Sequence, residues 1–176
     1  MKKEKEKINK MQNKEKNFKQ GFTLPELLVV VIIIGTLAVI ALPKYQMAVG
    51  KAKFATLKDN ARIIKDAMDR YYLANNSFTT NLEALDVELK GNLTSDKHYV
   101  DLADGSHCYI GAEIFCSRKI FDINMEYSID YVSYDKNKKF CYAKSLILTD
   151  KPNRLCQQET NKTTYTKIGN YNRYKY

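Results

Sequence analysis

The sequence predicts an α+β fold: a long N-terminal helix, with a membrane-spanning half followed by an amphipathic half, packed on a C-terminal antiparallel β-sheet. Three features of the 176 residues predict it. Residues 22–42 form an apolar run interrupted by one charge, Glu26. Beyond it, small and apolar residues recur at three- and four-residue steps to about residue 72, the period of a helix with one buried stripe. The last third of the chain then breaks into short alternating segments separated by turn residues, the pattern of antiparallel strands.

The basicity of the chain is concentrated ahead of the run. Residues 1–21 hold eight lysines against Glu4, Glu6 and Glu15, which is +5 of the net +9. The rest of the chain is only weakly basic, so no specific nucleic-acid partner is expected. As a helix the apolar run is about 32 Å long, one hydrocarbon thickness. Lysines before it and the polar bulk after it predict a single-pass, N-in and C-out orientation in a membrane. A secretory signal peptide would need a shorter apolar stretch followed by a small-residue cleavage site. Ala41-Leu42-Pro43-Lys44 is not such a site.

The junction reads KQGFTLPELLVV over 19–30. Gly21 lacks a Cβ, so an extended backbone enters a protease cleft there without steric cost. Thr23-Leu-Pro-Glu26 has the spacing of a capping box, with Pro25 in the first turn where proline is tolerated. An uncompensated acid such as Glu26 costs about 2.5–3.5 kcal/mol at a bilayer centre and less at its edge, and a neighbouring cation offsets that cost. Gly35 and Pro43 bracket the end of the run. Glycine costs a helix interior about 1 kcal/mol and proline about 3 kcal/mol, so the residues alone predict a kink or a local unwinding.

With Gly21, Phe22, Thr23, Leu24, Glu26 and Pro43 in place, residues 19–45 resemble the class III signal of type IV prepilins and type II secretion pseudopilins. The resemblance implies cleavage between Gly21 and Phe22 by a prepilin peptidase, N-methylation of Phe22, and retention of the apolar helix in the mature chain. It implies that Glu26 meets the Phe22 amine of a neighbouring subunit during assembly, and that the helix melts between Gly35 and Pro43 inside a filament. The implied partners are further copies of the chain, an inner-membrane assembly platform and a secretin. Met11 offers a second start, which leaves a leader of conventional short length. The domain reading is a leader over 1–21, a transmembrane and assembly helix over 22–44, an amphipathic helix over 45–75, and a globular remainder over 76–176.

The amphipathic half is expected to bury Tyr45, Ala48, Ala52 and Ala55, then Leu57, Ala61, Ile64, Met68 and Tyr71 or Tyr72, and to end at Asn75-Asn76-Ser77. A loop with a short helix over 82–89 follows. Segments 107–111 and 113–117 are expected to pair across a tight turn, 125–132 alternates with period two, and 134–138 turns the chain into 139–144. Cys108, Cys116, Cys141 and Cys156 all fall outside the membrane, where thiols oxidise. Four cysteines allow three connectivities. Cys108–Cys116 with Cys141–Cys156 is favoured because each bond closes a local loop, and the second resembles the C-terminal disulfide loop of pilins.

No C-x-x-C pair is present and His98 and His107 are the only histidines, so no metal site is expected. Asp101-Leu-Ala-Asp-Gly105 lacks EF-hand spacing and reads as a turn. No nucleophile, phosphate-loop or paired-carboxylate motif has a supporting context, so neither enzymatic activity nor a cofactor is expected. The implied function is a structural subunit of a type IV pilus, serving adhesion, motility or DNA uptake. A pseudopilin of a type II secretion system is the alternative. Major pseudopilins usually lack cysteines and carry an acidic calcium loop near the C-terminus. After Cys141 the chain has only Asp150 and Glu159 as acids, which favours the pilus.

Overall fold

The computed structural model describes residues 21–130 and 138–176. The leader residues 1–20, the end of the alternating 125–132 segment and nearly all of the expected 134–138 turn lie outside them. Two compact units divide the chain, one ending at Leu42 and one running from Pro43 to Tyr176.

Helix α1 (Leu24–Asn75) begins in the first unit. Its opening half carries aliphatic side chains on every face, and every residue from Gly21 to Tyr45 is exposed. Among the described residues, α1 is the one helix long and apolar enough to cross a membrane.

In the second unit α1 buries Gly50, Phe54, Leu57, Ala61, Ile64, Ala67 and Met68. The expected stripe is therefore corrected at its start. Tyr45, Ala48, Ala52 and Ala55 are exposed, while Gly50 and Phe54 face the core. Two stripes about half a turn apart were available here, and burying a phenyl ring removes far more apolar surface from water than burying alanine methyls. Asn76, with φ of 51°, closes the helix in the left-handed conformation, its N–H reaching the Tyr72 carbonyl at 2.8 Å.

The expected helix over 82–89 is a single 3-10 turn, Leu82–Ala84, capped by Asn81. Leu85 is buried, and Val87 and Leu89 are partly buried against the core. That two-residue spacing is satisfied by extended backbone and would be split across the faces of a helix.

The sheet comprises β1 (Gly91–Leu93), β2 (Tyr99–Leu102), β3 (His107–Ile110), β4 (Glu113–Ile120), β5 (Ile123–Asp130), β6 (Lys139–Ala143), β7 (Thr166–Ile168) and β8 (Tyr171–Lys175). All pairings are antiparallel, in the order β1-β2-β3-β4-β5-β6-β8-β7. Helix α2 (Lys151–Thr160) lies between β6 and β7 in sequence.

One face of the sheet meets α1. Phe54 packs edge-on against Tyr127, ring centroids 6.1 Å apart, within a core that includes Ile114, Cys116, Met125, Ile129 and Cys141. The opposite face carries its own aromatic layer. Phe115 and Tyr171 each pack edge-on to Tyr142, and the Arg173 guanidinium lies 4.6 Å from the Phe140 ring. Side chains alternate along β5, yet Met125 to Ile129 are all buried because both faces are covered.

The β4–β5 connection is a two-residue turn in which Phe121 and Asp122 have φ of 58° and 61°. Glycine or asparagine is usual at such positions, and a non-glycine residue there costs of order 1–3 kcal/mol. Packing offsets that cost: Phe121 lies directly on Gly50 of α1, so close that a Cβ on Gly50 would stand 2.1 Å from the ring. Gly50→Ala should therefore destabilise the protein by about 1–3 kcal/mol, read as a lower Tm in thermal unfolding. Phe121→Ala removes the obstructing ring, so the double variant should lose less stability than the two single losses added together.

Candidate functional site

The start of α1 is set by four residues. Thr23 is the cap, and the first helical bond runs from the Leu27 N–H to its carbonyl at 3.2 Å. Its backbone N–H and its hydroxyl both donate to Oε2 of Glu26 at 2.7 Å, and the Glu26 N–H returns a bond to Thr23 Oγ1 at 3.4 Å. This is a reciprocal capping box with Pro25 inside the first turn. Both Thr23 donors converge on one carboxylate oxygen. Oε1 has no hydrogen-bond partner among the described residues, so the cap leaves an acceptor open. Gly21 and Phe22 lie exposed just ahead of the helix, Phe22 at 79%.

Gly35 sits on α1 with open space where a Cβ would be. Beside it the Thr36 hydroxyl donates to the Ile33 carbonyl at 2.8 Å, a back-bond that competes with the helix ladder. Pro43 lies inside α1 and has no N–H to give the ladder. Residues 35–43 are helical throughout, so the weak points are present without an interruption.

The second unit, residues 43–176 and hereafter the head, is clipped twice. Cys108 and Cys116 are register partners on β3 and β4, bonded with Cα atoms 4.1 Å apart. Cys141 on β6 bonds Cys156 on α2, Cα to Cα 5.6 Å. All four are fully buried. Bonds closing loops of this size stabilise by about 2–4 kcal/mol each.

Helix α2 was not legible from apolar periodicity. Its signal was a cap, because Asp150 accepts the Asn153 N–H at 3.1 Å and Pro152 sits in the first turn. Fully buried Asn153 then organises the loop before it. Its amide donates to the carbonyls of Ser145 at 3.2 Å and Ile147 at 3.0 Å, while its Oδ1 accepts from the Tyr174 hydroxyl at 2.8 Å and the Asn172 amide at 3.1 Å.

Asp104, in the turn between β2 and β3, ties the sheet to α1. Its carboxylate accepts the Ser106 N–H at 2.8 Å, the Ser106 hydroxyl at 3.0 Å and the Asn60 amide at 3.1 Å, with Arg118 at 3.5 Å. Burial pushes its pKa up, but the Ser106 and Asn60 bonds and the Arg118 charge outweigh burial and hold it below the ordinary carboxylate value. Among the described residues, no three His, Cys, Asp or Glu side chains gather as metal ligands.

A long helix with an apolar, carboxylate-capped first half, leading into an antiparallel sheet, defines a pilin-like α+β protein. The family model described as "Prokaryotic N-terminal methylation motif" matches residues 16–42. The chain is 34% identical over 70 residues to type II secretion system core protein G of Pseudomonas aeruginosa, covering 40% of this chain and 49% of that one. It is 44% identical over 57 residues to fimbrial protein EcpC of Eikenella corrodens, covering 32% and 37%. It is 39% identical over 62 residues to a fimbrial protein of Neisseria meningitidis serogroup A, covering 35% and 36%. Over its N-terminal segment the chain is thus similar to fimbrial proteins and to a type II secretion core protein, and it carries the methylation motif. The matched segments span less than half the length of these relatives. No solved structure matches significantly.

The Asp104 clasp has a pH signature. Its folded-state pKa lies below the unfolded value, so its contribution is complete above the unfolded carboxylate pKa of about 3.9 and is lost as pH falls through the folded-state value. Acidification from neutral pH through that window should lower the Tm of the wild type more than that of Asp104→Asn. Circular-dichroism melts across the pH series read the difference.

Proposed function

We propose that the chain is a prepilin, a structural subunit that polymerises through its N-terminal helix into a type IV pilus serving adhesion, motility or DNA uptake. The observation that carries this reading is the apolar half of α1, exposed along its whole length and headed by a carboxylate with one free oxygen. Burying each Val, Leu or Ile side chain there is worth about 1.5–3 kcal/mol. In the unassembled subunit lipid supplies that cover, with the lysine-rich end in the cytoplasm and the head outside. In the filament the helices of neighbouring copies supply it.

Prepilin peptidase cuts between Gly21 and Phe22 and the new Phe22 amine is N-methylated. That amine, a cation, meets Glu26 of a neighbouring copy through the oxygen the cap leaves open. Gly35, Thr36 and Pro43 weaken the helix where it unwinds inside the filament. The assembly platform and secretin are the further partners of this route.

A pseudopilin role in type II secretion is the second reading, and the likeness to core protein G favours it. The two disulfides of the head and the scarcity of acids after Cys141 favour the pilus.

Processing is read by mass. The filament protein should lack residues 1–21 and carry about one added methyl group, located on Phe22 by peptide sequencing. A mature N-terminus near Pro43 would instead signify an ordinary signal peptidase and end this reading.

Glu26 separates assembly from capping. Glu26→Val should leave cleavage and membrane insertion intact, since it makes the segment more apolar, but abolish filaments. Co-expressed with wild type, it should be scarce in the filaments formed. Normal filament yield from Glu26→Val alone would show that capping was all this carboxylate does.

A further inference from the structure

The loop 145–150 joins β6 to α2 and carries three consecutive aliphatic side chains. Leu146, Ile147 and Leu148 are 64%, 65% and 38% exposed. The loop is held, not loose. Asn172 donates to the Ser145 carbonyl at 2.7 Å, Asn153 to the Ile147 carbonyl at 3.0 Å, and the Asp150 N–H to that same carbonyl at 3.1 Å. An apolar tip fixed in place by buried asparagines is a presented surface, not a loop that failed to fold inward.

Thr149, at the end of the tip, lines a cleft of about 780 Å³ together with Tyr45, Lys53, Lys119, Lys151 and Arg154. Among the described residues Lys53, Lys119 and Arg154 have no ion-pair partner. Lys151 donates to Gln46 and lies over the Phe121 ring at 5.9 Å. Two acids share the cleft. Asp122 is exposed, and Asp150 is occupied by Ser145 and Asn153. Four cations against two acids leave the cleft positive. An apolar tip beside a cationic cleft has the composition of a surface that enters a lipid interface and holds anionic headgroups.

Connectivity says which surface is in reach. Tyr45, on the cleft wall, is three residues beyond Leu42, the last residue of the apolar run, a separation of about 11 Å even if fully extended. A second head is a poorer occupant, because residues 43–176 hold 21 Lys and Arg against 16 Asp and Glu and would bring like charge to the cleft.

We propose that, before assembly, this face of the head docks on the bilayer that holds the helix: Leu146, Ile147 and Leu148 enter the interface while Lys119, Lys151 and Arg154 hold the phosphates of anionic phospholipids. The inference rests on the reading that the apolar run spans a membrane.

The chain contains no tryptophan, so a single introduced indole reports unambiguously. The full chain is placed one copy per nanodisc, with or without phosphatidylglycerol in phosphatidylcholine. Ile147→Trp and Leu146→Trp supply two tip reporters, and Leu73→Trp supplies a control at the 85% exposed far end of α1. In discs with phosphatidylglycerol, emission from either tip reporter should shift to the blue. Brominated acyl chains should quench each tip reporter at least about twofold more than they quench the control. Adding Lys119→Gln and Arg154→Gln should reduce the effect to that in phosphatidylcholine alone. A chain that enters the disc with both tip reporters quenched no more than the control overturns the docking and leaves the spanning helix standing. A shift that appears only with two copies per disc assigns the face to a second copy and also overturns it. A chain that does not co-elute with the disc removes the spanning helix and this inference together.

Discussion

Residues 24–42 present Val, Leu and Ile side chains that their own chain does not cover, and the rest of the protein is organised around that need for outside cover. An apolar surface of this extent calls for cover by lipid or by other protein. Its one charge sits in the first turn, where the capping box already uses one carboxylate oxygen. That glutamate caps the helix through one oxygen and, among the described residues, leaves the other without a hydrogen-bond partner. The second half of α1 obeys the opposite rule. From Gly50 onward it buries one stripe and leaves lysines, arginines and aspartates on the remaining face.

The head gains its rigidity from different sources at different places. At the centre, aromatic and aliphatic side chains fill the space between α1 and the sheet, and a second aromatic layer covers β5 from behind. Disulfides inside that core and polar ties beside it add to the packing. Cys108–Cys116 holds β3 to β4, Cys141–Cys156 holds α2 to β6, and the Asn153, Asn172 and Tyr174 side chains fix the loop that connects them. Each buried amide in that network has protein partners, and a network of this kind is favourable only when its members are satisfied.

The N-terminal third was the most legible part, because its meaning is carried by residue types that must coincide: glycine, an aromatic, a threonine-to-glutamate cap and an unbroken apolar run. The β3–β4 hairpin was legible from alternation alone. The entry of α1 into the head was not, since Tyr45, Ala48, Ala52 and Ala55 keep helical spacing as well as Gly50 and Phe54 do. Burial of the Phe54 ring favours the second stripe, and the ring of Phe121, 71 positions after Gly50, packs directly on it. Strand β1 is exposed at all three residues and leaves no hydrophobic trace. Strand β8 hides its inward face in Asn172 and Tyr174, whose burial depends on partners in α2 and the loop before it. Periodicity sees apolar burial. It does not see polar groups that become buried by satisfying one another.

The two disulfides also set how far the head can be drawn out under load. A pull between α1 and the C-terminal strand β8 would peel the sheet but could not extend the covalently closed segments. The bridge from Cys141 to Cys156 spans 15 residues and withholds about 50 Å of chain. The bridge from Cys108 to Cys116 spans 8 and withholds about 27 Å more. A head forced open in its oxidised form would be a short tether, with β3 still joined to β4 and α2 still joined to β6, ready to refold around both anchor points when the tension is released.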